Sequence, residues 1–214
     1  MSRRLISQSF WTLLLIMAAA AVSADTLTVE VQDRKGRPVP DVVVFVKAEG
    51  LTVPDAGATA TMDQLDGAFA PHILVVAVGT AVAFPNSDTV AHHVYSFSRP
   101  NNFVLPLYRG DEPPPKRFDH EGIATIGCNI HDNMLGYIAV VDSPLFGKTD
   151  QDGLVTLQHE RLADAGDVYI WSPRIRGEGG YRMRSVAGEA QVTFKLAKRL
   201  RAAHDPGESS FIDY

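Results

Sequence analysis

Short apolar runs of strand length recur along most of the chain, and turn residues separate them. The runs occupy residues 27–31, 42–46, 71–78, 81–84, 94–97, 118–128, 137–141, 148–157, 167–171 and 190–196. Several alternate between apolar and polar positions, which is typical of β-strands with one buried face. No long helical period separates the flanking runs. We therefore predict an all-β protein whose central segment is an antiparallel β-sandwich.

The longest apolar run lies at the amino terminus and differs from the others. Arg3 and Arg4 precede an apolar stretch at residues 11–22, and the small residues at 22–24 follow it. This order is typical of a secretory signal peptide. A membrane anchor is the alternative, but the run is shorter than the ~20 residues that span a bilayer. We predict that residues 1–24 are removed on export to the periplasm, leaving a chain without a membrane span.

Composition and charge narrow the class of protein. The chain has 214 residues, of which 45% are hydrophobic, so it can bury the core of one large domain or of two small ones. Its formal charge is −5, and loss of Arg3 and Arg4 with a signal peptide changes this to −7. An acidic balance argues against nucleic acid as a partner.

The single cysteine, Cys128, is the most informative residue. One cysteine in an exported chain forms no internal disulfide, so it serves as a metal ligand, an intermolecular bridge or a buried thiol. His131 and Met134 follow it in a C-x2-H-x2-M pattern. Thiolate, imidazole and thioether are three of the four ligand types of blue copper sites, and a second imidazole completes the set. Zinc seldom uses a thioether, so the pattern favours copper.

The fourth ligand is expected from the HHV sequence that follows residues 84–91. Neighbouring side chains on a strand point to opposite faces, so only one of His92 and His93 points inward. We assign His92 as the ligand because it is in phase with the apolar Val94. We expect His93 to face solvent or to support the ligands from outside; alternatively, it lies at the copper edge and gates electron entry.

Residues 71–141 resemble the cupredoxin family of blue copper proteins. The resemblance rests on PHILVVAVG, TAVAF, Asn86 and His92 in the first half, and on FDHEGIATIGC, NIHDNM and LGYIAVV in the second. The six-residue step from Asn86 to His92 and the C-x2-H-x2-M loop are most similar to amicyanin. The exported chain as a whole is similar to bacterial methylamine utilization or plastocyanin-like proteins. The resemblance implies a Greek-key β-sandwich domain at residues 61–142.

The same resemblance implies a ligand set and one bound ion. It assigns His92, Cys128, His131 and Met134 to a single type 1 copper per chain, with Met134 as the axial ligand. It also implies that Asn86 braces the cysteine loop from outside. Two residues depart from the amicyanin pattern: Ala91 and Ile130 stand where prolines are usual.

The flanks resemble a different scaffold. D-x-x-G-x-P-V-x-x-V-V-V at residues 33–44 and T-D-x-x-G-x-V-x-L at residues 149–157 are similar to the two halves of a carboxypeptidase-regulatory-like, transthyretin-like sandwich. Residues 25–60 and 143–197 would then form a second sandwich interrupted by the central domain. The alternative is that the flanks extend the central sheets. Residues 198–214 form a polar tail, expected to be a frayed helix followed by disorder.

Two functions of different classes follow from these expectations. The first is one-electron transfer between redox partner proteins, such as a dehydrogenase or a cytochrome. The second is copper handling, in which the same ligands bind and deliver the metal; a binding module that has lost the metal is a third possibility. We do not expect an enzyme, because four protein ligands leave no open position for a substrate.

Overall fold

Extended backbone accounts for nearly all regular structure in the chain. The structure, a computed structural model, describes residues 25–54, 57–131, 133–159, 166–186 and 189–204. Within these ranges it contains seventeen strands and one 3-10 turn, Glu178–Gly180. The all-β prediction is confirmed. The predicted signal peptide at residues 1–24 and the last ten residues of the predicted tail lie outside the described ranges.

The strands are β1 (Asp25–Gln32), β2 (Val43–Lys47), β3 (Thr59–Thr61), β4 (Asp63–Leu65), β5 (Ala68–Ala70), β6 (Ile73–Ala77), β7 (Thr80–Ala83), β8 (Tyr95–Ser96), β9 (Phe103–Val104), β10 (Lys116–Phe118), β11 (Gly122–Gly127), β12 (Leu135–Val141), β13 (Phe146–Lys148), β14 (Leu154–His159), β15 (Asp167–Trp171), β16 (Tyr181–Ser185) and β17 (Gln191–Lys195).

The flanking strands pair with one another across the central segment. One sheet has the order β14-β1-β17 and a second has the order β13-β2-β15-β16. In the first sheet, β1 runs antiparallel to β14 and parallel to β17. The buried side chains of β1, including Val29 and Val31, pack with Val44 and Val46 of β2 between the two sheets. The flanks thus contribute sandwich strands of their own, as predicted.

The central strands form a separate set of sheets. A five-stranded sheet has the order β6-β12-β11-β8-β9, a three-stranded sheet has the order β10-β7-β3, and β4 and β5 form a hairpin. One apolar core joins them and includes Val82 of β7, Phe118 of β10 and Ile126 of β11. Cys128 belongs to this same core, so the end of β11 carries the thiol into the sandwich.

Two strands are buried on both faces, which explains their continuous apolar sequences. Successive side chains of a strand point to opposite sides. In β2, Val44 lies in the flanking core, whereas Phe45 packs against the central sheet. In β12, Ile138 lies in the central core, whereas Ala139 packs against the flanking sheet. The four main sheets therefore stack in layers, with β2 and β12 facing each other in the middle.

Aromatic rings fill the layer between β2 and β12. The Phe45 and Tyr169 rings stack with their centroids 5.2 Å apart, and Tyr137 meets Trp171 edge to face at 5.6 Å. Trp171 is 3% exposed, and its indole Nε1 donates a hydrogen bond to the Gly179 carbonyl at 2.9 Å. Burying these rings gives the flanking sheets an extensive contact with the domain that carries Cys128.

The described part of the predicted tail is not helical, and it is hydrogen-bonded to the rest of the chain. Residues 198–204 contain no helix. The Arg201 amide donates to the Arg174 carbonyl at 2.9 Å, and the Arg201 guanidinium donates to the Pro173 carbonyl at 2.8 Å. These bonds to a neighbouring loop replace the bonds within a helix, so the expectation of a frayed helix is wrong. Elsewhere, the described residues include no helix long and apolar enough to cross a membrane.

Gly153 precedes β14 at a point where the chain leaves no room for a side chain. Its φ is +71°, and an added Cβ would lie 2.7 Å from the Val31 carbonyl oxygen and 3.0 Å from the Val39 amide nitrogen. Strained φ and overpacking each cost about 1–3 kcal/mol. Gly153→Ala is expected to lower the free energy of unfolding by roughly 2–4 kcal/mol, measured by urea denaturation.

Gly67 provides a matched control for this substitution. Its φ is also +71°, but an added Cβ meets no heavy atom of the described chain within 4 Å. Gly67→Ala should therefore cost only the backbone strain, about 1 kcal/mol. Equal losses in the two variants would contradict the close approach inferred at Gly153.

Candidate metal centre

Three of the side chains assigned from the sequence meet at one point of the structure. The Cys128 Sγ atom lies 3.8 Å from His92 Nδ1 and 3.8 Å from His131 Nδ1. The candidate ligand atoms of these three residues all lie within 4.8 Å of one another, and the two imidazole rings have their centroids 4.9 Å apart. His92, 36 positions before Cys128, and His131, 3 positions after it, thus lie with the cysteine around one small volume.

His92 is held by backbone pairing on an otherwise irregular loop between β7 and β8. Its amide donates to the Tyr108 carbonyl at 3.1 Å, and the Tyr108 amide donates back at 3.0 Å. The His92 side chain is fully buried, at 0% exposure. Because both main-chain groups are paired, the imidazole has little freedom to move relative to Cys128.

Asn86 stabilises this loop. Its side-chain amide donates to the Val90 and Tyr108 carbonyls, each at 3.0 Å, and its Oδ1 accepts from the Asp88 amide at 3.0 Å. Among the described residues, these hydrogen bonds do not reach the Cys128 loop, so the brace of Asn86 on that loop stays a prediction. Both acceptor carbonyls belong to segments that hold His92: Val90 precedes it in the loop, and Tyr108 pairs with it in an isolated bridge.

Asp88, which was not predicted from the sequence, contacts the first imidazole directly. Asp88 Oδ2 lies 2.6 Å from His92 Nε2, and the same carboxylate accepts from the amides of Asp66 at 2.7 Å and Gly67 at 2.9 Å. Burial opposes ionisation of Asp88, but the hydrogen bonds from Gly67, His92 and Asp66 outweigh it and lower the pKa of this carboxyl. An acidic residue four positions before a candidate ligand is the one sequence signal that could have indicated this contact.

The Asp88 contact determines which nitrogen of His92 is available. A carboxylate only accepts hydrogen bonds, so Nε2 carries the proton in the neutral ring. The Nδ1 lone pair then faces the Cys128 sulfur, 3.8 Å away. A carboxylate that fixes the tautomer and orientation of a histidine in this way is a usual companion of metal-binding histidines.

The loop between β11 and β12 carries the other candidate ligands. The Cys128 amide donates to the Met134 carbonyl at 3.3 Å, and the Met134 amide donates to the His131 carbonyl at 3.0 Å. Cys128 and Met134 are buried in the same apolar cluster, at 4% and 2% exposure. They also line one small cavity of about 370 Å³. His131, in contrast, lies on the exposed side of the loop.

His93 lies on the other face of its segment. His92 and Val94 are buried, whereas His93 is half-buried, so the predicted alternation is observed. The His93 ring lies 6.1 Å from the Tyr95 ring, and its Nδ1 is buried without a hydrogen-bond partner in the described chain. His93 is not part of the three-residue cluster around Cys128.

The donor set of the cluster fits copper. Two imidazole nitrogens and one thiolate sulfur suit both oxidation states of copper, and a buried thioether in the same loop is the usual weak fourth donor. Met134 shares the loop with Cys128 and His131, and the chain has no second cysteine. The His92, Cys128 and His131 cluster therefore indicates copper binding.

Comparisons with known proteins gave only distant similarities. No family model matches the chain, and no curated protein matches it. The solved structures similar to it include cupredoxins and a copper-containing nitrite reductase. A purple cupredoxin from Nitrosopumilus maritimus is 25% identical, with 38% of this chain and 99% of that chain covered and a TM-score of 0.35.

Two further solved structures extend the comparison. A reduced variant of amicyanin is 20% identical, with 46% of this chain and 98% of that chain covered and a TM-score of 0.36. The copper-containing nitrite reductase from Thermus scotoductus SA-01 is 24% identical, with 52% of this chain and 28% of that chain covered and a TM-score of 0.37.

Proposed function

We propose that this chain is a periplasmic type 1 copper protein that transfers single electrons between redox partner proteins. The observation that supports the proposal is the convergence of His92, Cys128 and His131, with their candidate ligand atoms within 4.8 Å of one another. Export through residues 1–24 would place the chain in an oxidising compartment, where cysteines usually form disulfides. A single cysteine has no internal partner there, so a role as a metal ligand explains Cys128.

Each residue of the site has a distinct role in this proposal. His92 Nδ1, His131 Nδ1 and the Cys128 thiolate would hold one copper ion, and the Met134 thioether would be its weak axial donor. When bound, copper supplies a one-electron couple. The protein holds the ligands in nearly the same positions for both oxidation states, because His92 is paired through its main chain and Cys128 and Met134 are buried.

The surface around His131 suits docking of a redox partner. His131 is exposed, and the neighbouring Ile130 is 55% exposed. Val90 and Leu107, on the two segments that hold His92, are 49% and 56% exposed. Exposed apolar side chains next to a redox centre favour a brief contact with a dehydrogenase or a cytochrome. The exposed imidazole edge would be the route by which the electron enters and leaves.

Catalysis is not part of the proposal. Two imidazoles, a thiolate and a thioether would occupy the four positions of the site, and a catalytic metal needs an open one. His92 is fully buried and Cys128 is 4% exposed, so a substrate has little access to the copper side of these ligands.

The colour of the copper(II) protein tests the proposal. A thiolate bonded to copper(II) in this geometry should give an intense blue protein with one copper per chain and a reversible one-electron couple, measured by visible absorption, metal analysis and voltammetry. A colourless copper(I) complex that gives up its metal readily would instead support copper delivery. A chain that binds no copper through Cys128 would refute both functions.

Asp88 is expected to tune copper binding through His92. Asp88→Asn removes the negative charge that orients the imidazole, and loss of such a partner typically lowers metal affinity about 10–100-fold. Competition with a copper chelator would measure the change. Asp111→Asn is the control, because Asp111 is an exposed acid in another segment. Equal copper affinities in the Asp88 variant and the native chain would contradict the role assigned to Asp88.

A further inference from the structure

The last described residues of the chain form a strap that reaches the loop between β11 and β12. We define the strap as residues 196–204. The Leu196 amide donates to the carbonyl of Gln32, the last residue of β1, at 2.8 Å, and Leu200 packs against the flanking core. The Arg201 guanidinium donates to the carbonyls of Pro173 and Ile175 at 2.8 and 3.2 Å. The strap is therefore anchored on the flanking sheets before it reaches the central domain.

At its end, the strap meets the loop that carries three candidate ligands. His204 Nε2 donates to the Asn133 carbonyl at 2.7 Å. On the other side of Met134, His72 Nδ1 donates to the Leu135 carbonyl at 3.1 Å. The two imidazole rings stack on each other with their centroids 5.2 Å apart and their planes 14° apart. Two histidines from distant parts of the chain thus hold the carbonyls on either side of Met134.

These bonds complete the pairing of the backbone around Met134. The Met134 amide donates to His131, and its carbonyl accepts from Cys128. The flanking carbonyls accept from His204 and His72. With each of these groups paired, the peptide planes before and after Met134 are fixed, and so is the direction in which its side chain leaves the loop. His204 also lines the same cavity as Cys128 and Met134.

We propose that His204 and His72 are positioning residues that set the placement of the Met134 thioether in the copper site. The inference rests on the proposed function. It makes the flanking sandwich part of the redox centre, because the strap that carries His204 is anchored on the flanking sheets. The axial ligand is one of the determinants of the potential of such a site. A brace on this ligand from outside the central domain would therefore stabilise one oxidation state relative to the other.

His204→Ala tests the inference, because this residue lies at the end of the strap and its loss leaves both cores intact. The variant should still bind one copper and remain blue. Its potential should rise, since a less constrained thioether binds copper(II) less well. We expect the ratio of copper(II) to copper(I) affinity to fall at least about threefold, equivalent to about 28 mV at 59 mV per tenfold change. His120→Ala, at an exposed histidine that lies at the opposite end of β11 from the Cys128 loop, should leave the potential unchanged.

Measuring His204→Ala in the Met134→Leu protein as well separates an effect on the position of Met134 from a general structural or charge effect on the potential. If His204 acts through Met134, then His204→Ala should shift the potential in the native background but not in the Met134→Leu background. In the copper-free protein, the same variant should exchange the Cys128 and Met134 amide hydrogens faster, because both amides bond within the braced loop. A blue His204→Ala protein with an unchanged potential, or equal shifts in the two backgrounds, would overturn the inference. A native chain without blue colour would instead refute the proposed function.

Discussion

Cys128→Ser is expected to abolish the intense colour of the copper(II) protein. The colour requires a thiolate, which copper obtains by deprotonating the thiol. A serine hydroxyl is a harder ligand that keeps its proton, so the charge-transfer band disappears and copper affinity falls by more than the ~10–100-fold typical of outer partners. Cys128 is 4% exposed, and its Sγ atom lies 3.8 Å from the Nδ1 atom of each imidazole. It is the single cysteine of the chain, so no other thiol can replace it.

Visible absorption at equal copper loading, together with copper per chain, would measure the loss. Ile126→Val is the control for packing, because Ile126 is fully buried two residues earlier on β11 and carries no candidate donor. That variant should remain blue. Retention of the blue colour in Cys128→Ser would remove the thiolate from the site and, with it, the proposed electron-transfer function.

The apolar pattern predicted where the strands lie better than it predicted which sheets pack against them. The alternating sequence of β1 indicates one buried face, and Val29 and Val31 are indeed buried in the flanking core. The continuous apolar sequences of β2 and β12 indicate burial on both faces. They do not indicate which sheets cover those faces, because apolar side chains pack equally well on any surface of complementary shape. The edge-to-face contact of Tyr137, on β12, with Trp171, on β15, depends on how the two sheets stack.

The ligand candidates were predictable because each carries a local signal. The C-x2-H-x2-M spacing places Cys128, His131 and Met134 in one loop, and strand alternation favours His92 over His93. The structure brings His92, Cys128 and His131 together, and it buries Met134 in the same apolar cluster as Cys128. Spacing within a loop and alternation along a strand are short-range properties, so they can be read from sequence.

The supporting residues were not predictable in the same way. Asp88 reaches His92 because the amides of Asp66 and Gly67, in the β4–β5 turn, hold its carboxylate. His204 bonds to Asn133 across 71 positions of sequence. Neither arrangement follows from a periodic pattern, since each depends on how separate loops meet in the folded chain. Asn86 was identified as a supporting residue, but its hydrogen bonds among described residues go to the loop that holds His92.

Met134→Leu is expected to keep the copper and raise the reduction potential. Leucine fills a similar volume but has no donor atom, so packing changes little while copper(II) loses a weak ligand. Copper(I) depends less on this ligand, so the reduced state becomes relatively more stable. We expect a rise of at least about 59 mV, which corresponds to a tenfold change in the relative affinity for the two oxidation states. Voltammetry of the blue protein would measure it.

Met62 makes the test of Met134 specific. Both methionines are buried in the same apolar core, Met62 at 0% and Met134 at 2% exposure, but Met62 lies outside the Cys128 loop. Met62→Leu makes the same chemical change without removing a candidate ligand, so its potential should equal that of the native protein. Equal potentials in all three proteins would exclude Met134 as the axial donor. A rise confined to Met134→Leu would connect the potential to the one residue whose flanking carbonyls are held by His204 and His72.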